Sequence, residues 1–139
     1  MHCVLDSSAA LTWVMKDEAS EATAALVLDV AEQGALVPVL WKLETANGLL
    51  MAERRGRISP ADRLRAHAMF DDMPIVLDER TAELAFGAIA SLASECRLTV
   101  YDASYLELAI RSGLPLASLD AGLCRAASGM GVALALPNP

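Results

Sequence analysis

Short, wholly apolar runs alternate along this chain with longer segments in which apolar residues recur at helical spacing. The runs predicted as strands are Cys3-Val4-Leu5, Ala35-Leu36-Val37, Ile75-Val76-Leu77, Leu116-Ala117-Ser118 and Val132-Ala133-Leu134. Strands that alternate with helices are parallel and joined by right-handed crossovers. Strands without polar alternation are typical of a sheet covered on both faces. The pattern therefore predicts an α/β fold of three layers, with a central, mainly parallel five-stranded sheet flanked by helices.

Capping and turn residues set the expected limits of the helices between these runs. Asp6-Ser7-Ser8 precedes the first helix, and Gly34 closes the second as a C′ residue. Pro38 suits the first turn of the third helix, and Ser59-Pro60 supplies an N-cap and an N1 proline for the fourth. The predicted helices span residues 9–15, 18–33, 38–55, 60–70, 79–95, 101–111 and 121–127.

The length and composition of the chain fit one domain over residues 1–139. No apolar run approaches the ~20 residues that a membrane-spanning helix needs, and the N-terminal segment lacks the features of a secretory signal. Cys3, Cys96 and Cys124 are far apart and in no metal-binding spacing, which is typical of reduced core cysteines. We therefore expect a cytoplasmic protein without a membrane segment.

The charge balance narrows the kinds of partner that the chain can bind. Its formal net charge of -7 argues against a protein that holds nucleic acid through a general basic surface. It does not exclude a nuclease, because bound cations can bridge acidic side chains and phosphates. Five arginines cluster in the middle of the chain: Arg54, Arg55, Arg57, Arg63 and Arg65. They form either a solvated helix end or a patch that contacts phosphate.

Four acidic residues lie at the edges of otherwise apolar elements: Asp6, Glu44, Asp102 and Asp120. In open α/β sheets, ligands bind outside the carboxyl ends of the strands, and Asp6 and Asp120 each follow a predicted strand. Carboxylate oxygens are the ligands that Mg²⁺ and Mn²⁺ prefer. The four acids therefore predict a converging anionic pocket and a metal-dependent phosphoryl-transfer enzyme, foremost a nuclease.

Each acid also has a simpler explanation. Asp6 and Asp120 could cap the helices that follow them. Asp102 suits the first turn of its helix, and Glu44 could face solvent. Against this, Asp102 is in line with residues expected to pack inward, and Asn47 lies one turn after Glu44, where its oxygen could serve as an outer ligand. Two carboxylates ~4 Å apart repel by about 4 kcal/mol at an effective dielectric near 20, so converging acids need a cation or raised pKa values.

Four segments carry these acids: Val4-Leu5-Asp6-Ser7-Ser8-Ala9, Trp41-Lys42-Leu43-Glu44-Thr45-Ala46-Asn47, Tyr101-Asp102-Ala103-Ser104-Tyr105-Leu106-Glu107-Leu108-Ala109 and Ala117-Ser118-Leu119-Asp120. In this order and over this length they resemble the PIN domain, and most closely the VapC-type ribonuclease toxin of bacterial toxin–antitoxin pairs. The resemblance implies a parallel sheet flanked by helices, Mg²⁺- or Mn²⁺-dependent cleavage of RNA, and a homodimer. It also implies a cognate antitoxin whose C-terminal segment covers the active site, often with a basic side chain that reaches the acids.

The resemblance assigns roles to individual residues. The acidic quartet that binds metal is matched by Asp6, Glu44, Asp102 and Asp120. Ser118 matches a hydroxyl position two residues before the last acid. Many members carry a further acid where this chain has Gly122, so the resemblance leaves open whether one or two ions bind. Arg54, Arg55 and Arg57 become candidate contacts for RNA or antitoxin.

The expected mechanism uses no histidine. A metal ion lowers the pKa of its bound water, and either Asp6 or Asp102 orients that water or relays its proton. Two rival enzymes lack support: a phosphoacceptor receiver domain would need a late lysine, and a haloacid-dehalogenase-type phosphatase would need an acid at Ser8. The alternative is a non-catalytic module that binds a metal or a basic peptide. Retention of all four mutually repelling acids disfavours this module.

Overall fold

Four parallel strands form the sheet of the computed structural model, which describes all 139 residues. They are β1 (Cys3–Leu5), β2 (Ala35–Pro38), β3 (Ile75–Asp78) and β4 (Leu116–Ala117), in the order β3-β2-β1-β4. The helices are α1 (Ser7–Leu11), α2 (Glu21–Gln33), α3 (Trp41–Arg54), α4 (Pro60–Asp72), α5 (Ala90–Cys96), α6 (Val100–Ser112) and α7 (Ala121–Gly129). The predicted α/β class is confirmed. None of the helices combines the length and the apolar character needed to cross a membrane.

The sheet has one strand fewer than the sequence predicts. Residues 132–134 contribute only an isolated parallel bridge between Leu116 and Leu134. Gly131 adopts a φ of +78° directly before this segment, and Pro137, which has no N–H to donate, follows shortly after it. Only Leu116 exchanges backbone hydrogen bonds with this segment, donating to Ala133 and accepting from Ala135, so no ladder forms and β4 stands at the edge of the sheet.

Four predicted helix limits are also wrong. The first helix ends at Leu11 instead of residue 15, and the second begins at Glu21 instead of residue 18, after a 3-10 turn. Pro38 is the last residue of β2, and the helix expected to start there begins at Trp41. The helix expected over 79–95 forms only from Ala90, after a π-helical turn at Ala85–Ile89. Gly87 interrupts that turn with φ -105° and ψ -107°, a conformation that glycine adopts more readily than other residues. By contrast, Ser59 caps α4 as predicted.

Strands β1 and β4 of the sheet are fully buried, and their carboxyl ends meet at one edge. All three residues of β1 and both residues of β4 are fully inaccessible to solvent, and α6 packs against β1, β2 and β4. The chain leaves β1 at Asp6 and leaves β4 at Ser118, so both exits lie at the same carboxyl edge. Any polar side chain at these exits is therefore held over an apolar core.

Helix α3 packs closely on α1, and a glycine permits the approach. A Cβ atom at Gly48 would lie 2.5 Å from Cδ1 of Leu11, closer than side chains tolerate. Gly48 is one turn after Glu44. The close packing therefore helps to set how near Glu44 comes to the junction between β1 and α1.

The turn between α2 and β2 depends on Gly34. Its φ is +82°, and a Cβ there would lie 2.8 Å from the carbonyl oxygen of Pro74. We expect Gly34→Ala to lower the free energy of unfolding by about 3 kcal/mol, because the backbone strain and the clash add. Gly56→Ala is the matched control, since Gly56 has a φ of +74° but no atom within 4 Å of the added Cβ. Equal losses of stability for the two variants in urea unfolding would show that the clash with Pro74 costs nothing.

An ion-pair network fixes α6 to the edge strand β3. Arg111 donates to Asp78 from Nη1 at 3.0 Å and from Nη2 at 2.8 Å, and its Nε donates to Glu107 at 2.7 Å. The Asp78 side chain is mostly buried, and hydrogen bonds from Arg111 hold the pKa of its carboxyl below the ordinary range. Because α6 also carries Asp102, this network holds one side of the candidate site.

Replacing Asp78 by asparagine should cost about 2 kcal/mol of stability at neutral pH, because charge-assisted hydrogen bonds disappear. The pKa of Asp78 is lowered in the folded state, so this contribution is present above the ordinary value of 3.8 and fades as the pH falls through the lower one. The difference between wild type and variant should therefore shrink in strong acid. Asp71→Asn breaks an exposed ion pair with Lys42 and should change little. Indistinguishable stabilities of the two variants in chemical denaturation at neutral pH would contradict the prediction.

Candidate active site

Asp6, the residue between β1 and α1, is buried and does not cap the helix that it precedes. Its Oδ2 accepts hydrogen bonds of 2.7 Å from the hydroxyls of Ser8 and Ser118. Its other oxygen, Oδ1, receives no side-chain hydrogen bond. The capping explanation of Asp6 is therefore wrong, and the carboxylate is instead held in place by two hydroxyl donors.

The same two serines join the exits of β1 and β4. The backbone N–H of Leu119 donates to Ser8 Oγ at 3.0 Å, and that of Asp120 donates to Ser118 Oγ at 3.0 Å. Each hydroxyl thus donates to Asp6 while it accepts from the chain after β4. This network fixes Asp120 beside the same edge as Asp6.

Glu44 and Asp102 come to this edge from two helices. Glu44 is half-buried on α3, and its Oε1 accepts a hydrogen bond from the hydroxyl of Tyr105 on α6. Asp102 lies one turn before Tyr105. Its backbone N–H donates a hydrogen bond to the hydroxyl of Thr99, the N-cap of α6. The hydrogen bond between α3 and α6 therefore brings the helical segment of Asp102 next to Glu44.

Asp120 does cap its helix, in agreement with the simpler explanation. Its Oδ1 accepts from the N–H of Leu123 at 2.8 Å, and the residue is exposed. Capping uses one carboxylate oxygen and leaves the other without a protein partner. A structural role and a ligand role are compatible for this residue.

Electrostatic coupling shows that the four carboxylates face a common region. Burial is the main cause that raises the pKa of Asp6, and the charge of Asp120 adds to it. Burial also raises the pKa of Glu44, with further contributions from Asp6 and Asp102. The pKa of Asp102 is raised by burial first, and then by Asp120 and Asp6. The charges of these acids therefore act on one another across the sheet edge, and whether they form one functional site stays a prediction.

The donor set suits a divalent cation, although its atoms are not gathered around one point. Asp6, Glu44 and Asp120 each accept the hydrogen bonds described above through one carboxylate oxygen, and the second oxygen accepts no side-chain hydrogen bond. As placed, no three His, Cys, Asp or Glu side chains are arranged to hold one metal ion. A bound cation would have to draw these oxygens together, and the exposed Asp120 has room to move. The site suits a divalent cation for two reasons: carboxylate oxygens are its preferred ligands, and its charge would offset the repulsion between the acids.

The other predicted residues have mixed outcomes. Ser118 lies within the site, whereas Asn47 is exposed and makes no hydrogen bond to an acid. Arg54 and Arg55 lie about 15 Å from Glu44 along α3, at about 1.5 Å per residue. Arg57 is occupied by ion pairs with Asp17 and Glu18. The structure therefore does not bring the three arginines to the acids.

Sequence reasoning misses the roles of Ser8 and Tyr105. In the sequence Ser8 resembles Ser7 as a helix-capping residue, and Tyr105 is expected only to pack inward. Burial, with the neighbouring Glu44 as a further cause, raises the pKa of Tyr105 above its ordinary value, so its hydroxyl remains a donor to Glu44. The usable signal is spacing: Ser8 is two residues after Asp6, and Tyr105 is one turn after Asp102.

A family model and several solved structures match the chain. The model of the PIN domain matches residues 3–129, a span that holds all four acids. The crystal structure of PAE2754 from Pyrobaculum aerophilum is 24% identical and covers 93% of this chain and 87% of that one, with a TM-score of 0.68. That of FitAcB from Neisseria gonorrhoeae is 17% identical over 94% of each chain, with a TM-score of 0.62. Both likenesses concern the fold, and no curated protein matches the chain.

Proposed function

Because the chain belongs to the PIN-domain family, we propose that residues 1–139 form a Mg²⁺- or Mn²⁺-dependent endoribonuclease. PIN domains are generally nucleases and typically use divalent metals. The observation that carries the proposal is that Asp6, Glu44 and Asp102 lie partly or fully buried at the carboxyl edge of the sheet with raised pKa values, which burial causes first and neighbouring carboxylates increase. Repulsion between neighbouring carboxylates is unfavourable unless a counter-charge is present. A bound cation would supply that charge and could also bind a phosphate of the substrate.

The four acids would hold the cation through the carboxylate oxygens that accept no side-chain hydrogen bond. When bound, the cation supplies a water of lowered pKa and offsets negative charge on the phosphate. Ser8 and Ser118 fix the orientation of Asp6, and Tyr105 does the same for Glu44. These hydroxyl donors keep the acids in place while the RNA strand binds.

The reaction is hydrolysis of a phosphodiester bond. A water oxygen attacks phosphorus and forms the new P–O bond, and the bond from phosphorus to the leaving ribose oxygen breaks. One proton of the water passes to a carboxylate, and the leaving oxygen takes up a proton from solvent to become a hydroxyl. Asp6 or Asp102 orients this water and accepts its proton. Burial raises the pKa of both carboxyls above the ordinary value, which makes each a stronger base than a free carboxylate.

We further propose that the enzyme is the toxin of a toxin–antitoxin pair and forms a homodimer. The net charge of -7 and the acid cluster would attract a basic segment of an antitoxin, which would then block the site. Exposed apolar side chains flank the acids in sequence, with Val39 and Leu43 before Glu44 and Tyr101 before Asp102. They supply apolar surface for a second copy.

The test is incubation of purified protein with labelled single-stranded RNAs of mixed sequence, in Mg²⁺, in Mn²⁺ and in EDTA. We expect fragments with either metal and none in EDTA, and matched single-stranded DNA serves as the substrate control. Cleavage that persists in EDTA would exclude the carboxylate-metal mechanism. Absence of cleavage of every RNA, with metal still bound, would favour the non-catalytic module.

The antitoxin proposal has a separate test. A small DNA-binding protein with a basic C-terminal segment should be encoded beside the gene. Its co-expression should abolish cleavage, and substitution of its basic side chains should restore it. A neighbouring protein that binds but does not inhibit would contradict the proposed role of the acids in binding it.

A further inference from the structure

A cavity of about 520 Å³ lies between the end of α5 and helix α7, and two arginines line it. Arg97 ends α5, and Arg125 lies on α7, the helix that begins after Asp120. Both residues are exposed. Glu95 also lines the cavity but forms no ion pair with either arginine, so their charges are available to a ligand.

Five of the eleven lysines and arginines of the chain form no ion pair, and two of these five lie together. The other six form ion pairs: Lys42, Arg57, Arg63, Arg65, Arg80 and Arg111. Two of the remaining five, Arg97 and Arg125, share one cavity. In a chain with an excess of acids, two unpaired guanidinium groups in one concave surface form a local site for an anion.

The cavity borders the candidate active site. Gly122 lies on its wall, and a Cβ there would be 3.3 Å from Oδ1 of Asp120 and 3.8 Å from Nη2 of Arg125. The carboxylate and the guanidinium therefore face the same small space. A strand whose phosphate reached the acids would carry a neighbouring phosphate toward the arginines.

The backbone of Arg97 lies in the left-handed region, which is strained for a residue with a side chain. Arg97 is the one non-glycine residue with a positive φ, at 55°. Glycine fits such a left-handed position at a helix end better than arginine does. An arginine at this position is therefore not explained by the turn itself.

We infer that Arg97 and Arg125 hold a non-scissile phosphate of the RNA strand beside the acid cluster. The inference rests on the proposed nuclease function. The guanidinium fork matches phosphate oxygens and positions the backbone without reading sequence. It also explains how a chain of net charge -7 can bring a polyanion to an acidic site, because the attraction is local.

Binding of a labelled single-stranded RNA tests this directly, with anisotropy measured at several salt concentrations. All proteins carry Asp6→Asn, so that the strand stays uncut. Arg97→Gly with Arg125→Gln should weaken binding on the order of a hundredfold and lower the salt dependence by about 0.7 for each phosphate that the protein no longer neutralises. The charge-matched control is Arg54→Gln with Arg55→Gln, which should bind like the parent.

Melting temperatures exclude unfolding as the cause, and Arg97→Gly should not lower them because glycine suits the turn. Equal binding by the cavity variant and its parent would overturn the inference, as would weakened binding confined to the Arg54 and Arg55 control. Cleavage by the protein with intact Asp6, run in parallel, separates the two proposals. If RNA is cut and the cavity variants bind normally, only the inference fails; if the intact protein neither cuts nor binds RNA, both fail.

Discussion

RNA cleavage should fall at least about a thousandfold when Asp6 is replaced by asparagine, while the fold persists. The amide oxygen of asparagine can still accept hydrogen bonds from Ser8 and Ser118, so the frame of the site is kept. The substitution removes the negative charge that would hold the cation. Because burial raises the pKa of Asp6, its ionised form is disfavoured in the folded protein, and the variant should melt at or above the wild-type temperature.

Cleavage and thermal melting must be measured on the same preparations. Asp71→Asn is the control, because Asp71 is an exposed acid that pairs only with Lys42. It should cut RNA like the wild type. Full activity in Asp6→Asn would refute the assignment of the site, and loss of activity together with loss of the melting transition would give Asp6 a structural role instead.

Part of the candidate site could be predicted from the sequence, because residues that follow parallel strands lie at the same edge of a sheet. Asp6 and Asp120 follow apolar runs, and the carboxyl ends of parallel strands meet at one edge. Glu44 and Asp102 are found by helical spacing, which places a polar residue on a face that otherwise packs inward. These rules use local pattern alone, and the coupling of the carboxyl pKa values agrees with them.

The parts that could not be predicted depend on bonds between distant residues. Ser118 donates to Asp6 across 112 positions, and Tyr105 donates to Glu44 across 61, so neither bond exists until the fold is formed. Sequence cannot tell whether Ser7 or Ser8 turns toward Asp6. The arginine cluster shows that residues close in sequence need not act together. Arg57 forms ion pairs with Asp17 and Glu18, the acids before α2, and is not free to act with Arg54 and Arg55.

Backbone conformation accounts for the remaining differences in the fold. The apolar periodicity over 79–95 is genuine, but Gly87 leaves helical geometry there and delays the helix to Ala90. The apolar run at 132–134 has the composition of a strand, yet after Gly131 turns the chain with a positive φ it pairs only with Leu116 and forms one bridge. Periodicity measures which side chains can be buried, and it does not measure whether the backbone stays regular.

Mg²⁺ or Mn²⁺ should stabilise the protein strongly, and this effect should depend on the acids. A cation at about a hundred times its Kd stabilises the folded state by about 2.7 kcal/mol, which corresponds to a rise in Tm on the order of 10 °C for a chain of this size. The rise should disappear in Glu44→Gln and in Asp120→Asn. Glutamine still accepts from Tyr105, and asparagine still caps Leu123, so each variant removes charge rather than structure.

A potassium salt at the same ionic strength is the control that separates specific binding of the divalent cation from screening of charges. Screening alone would act on every exposed acid, so it would raise the Tm of the wild type and of both variants alike. Asp71→Asn should keep the full shift with Mg²⁺, since it lies outside the cluster. A shift of equal size in Glu44→Gln would mean that the cation binds elsewhere and that Glu44 is not one of its ligands. A Tm shift that occurs only in proteins with all four acids would show that the cation binds at the carboxyl edge of the sheet, where it offsets the repulsion between these acids.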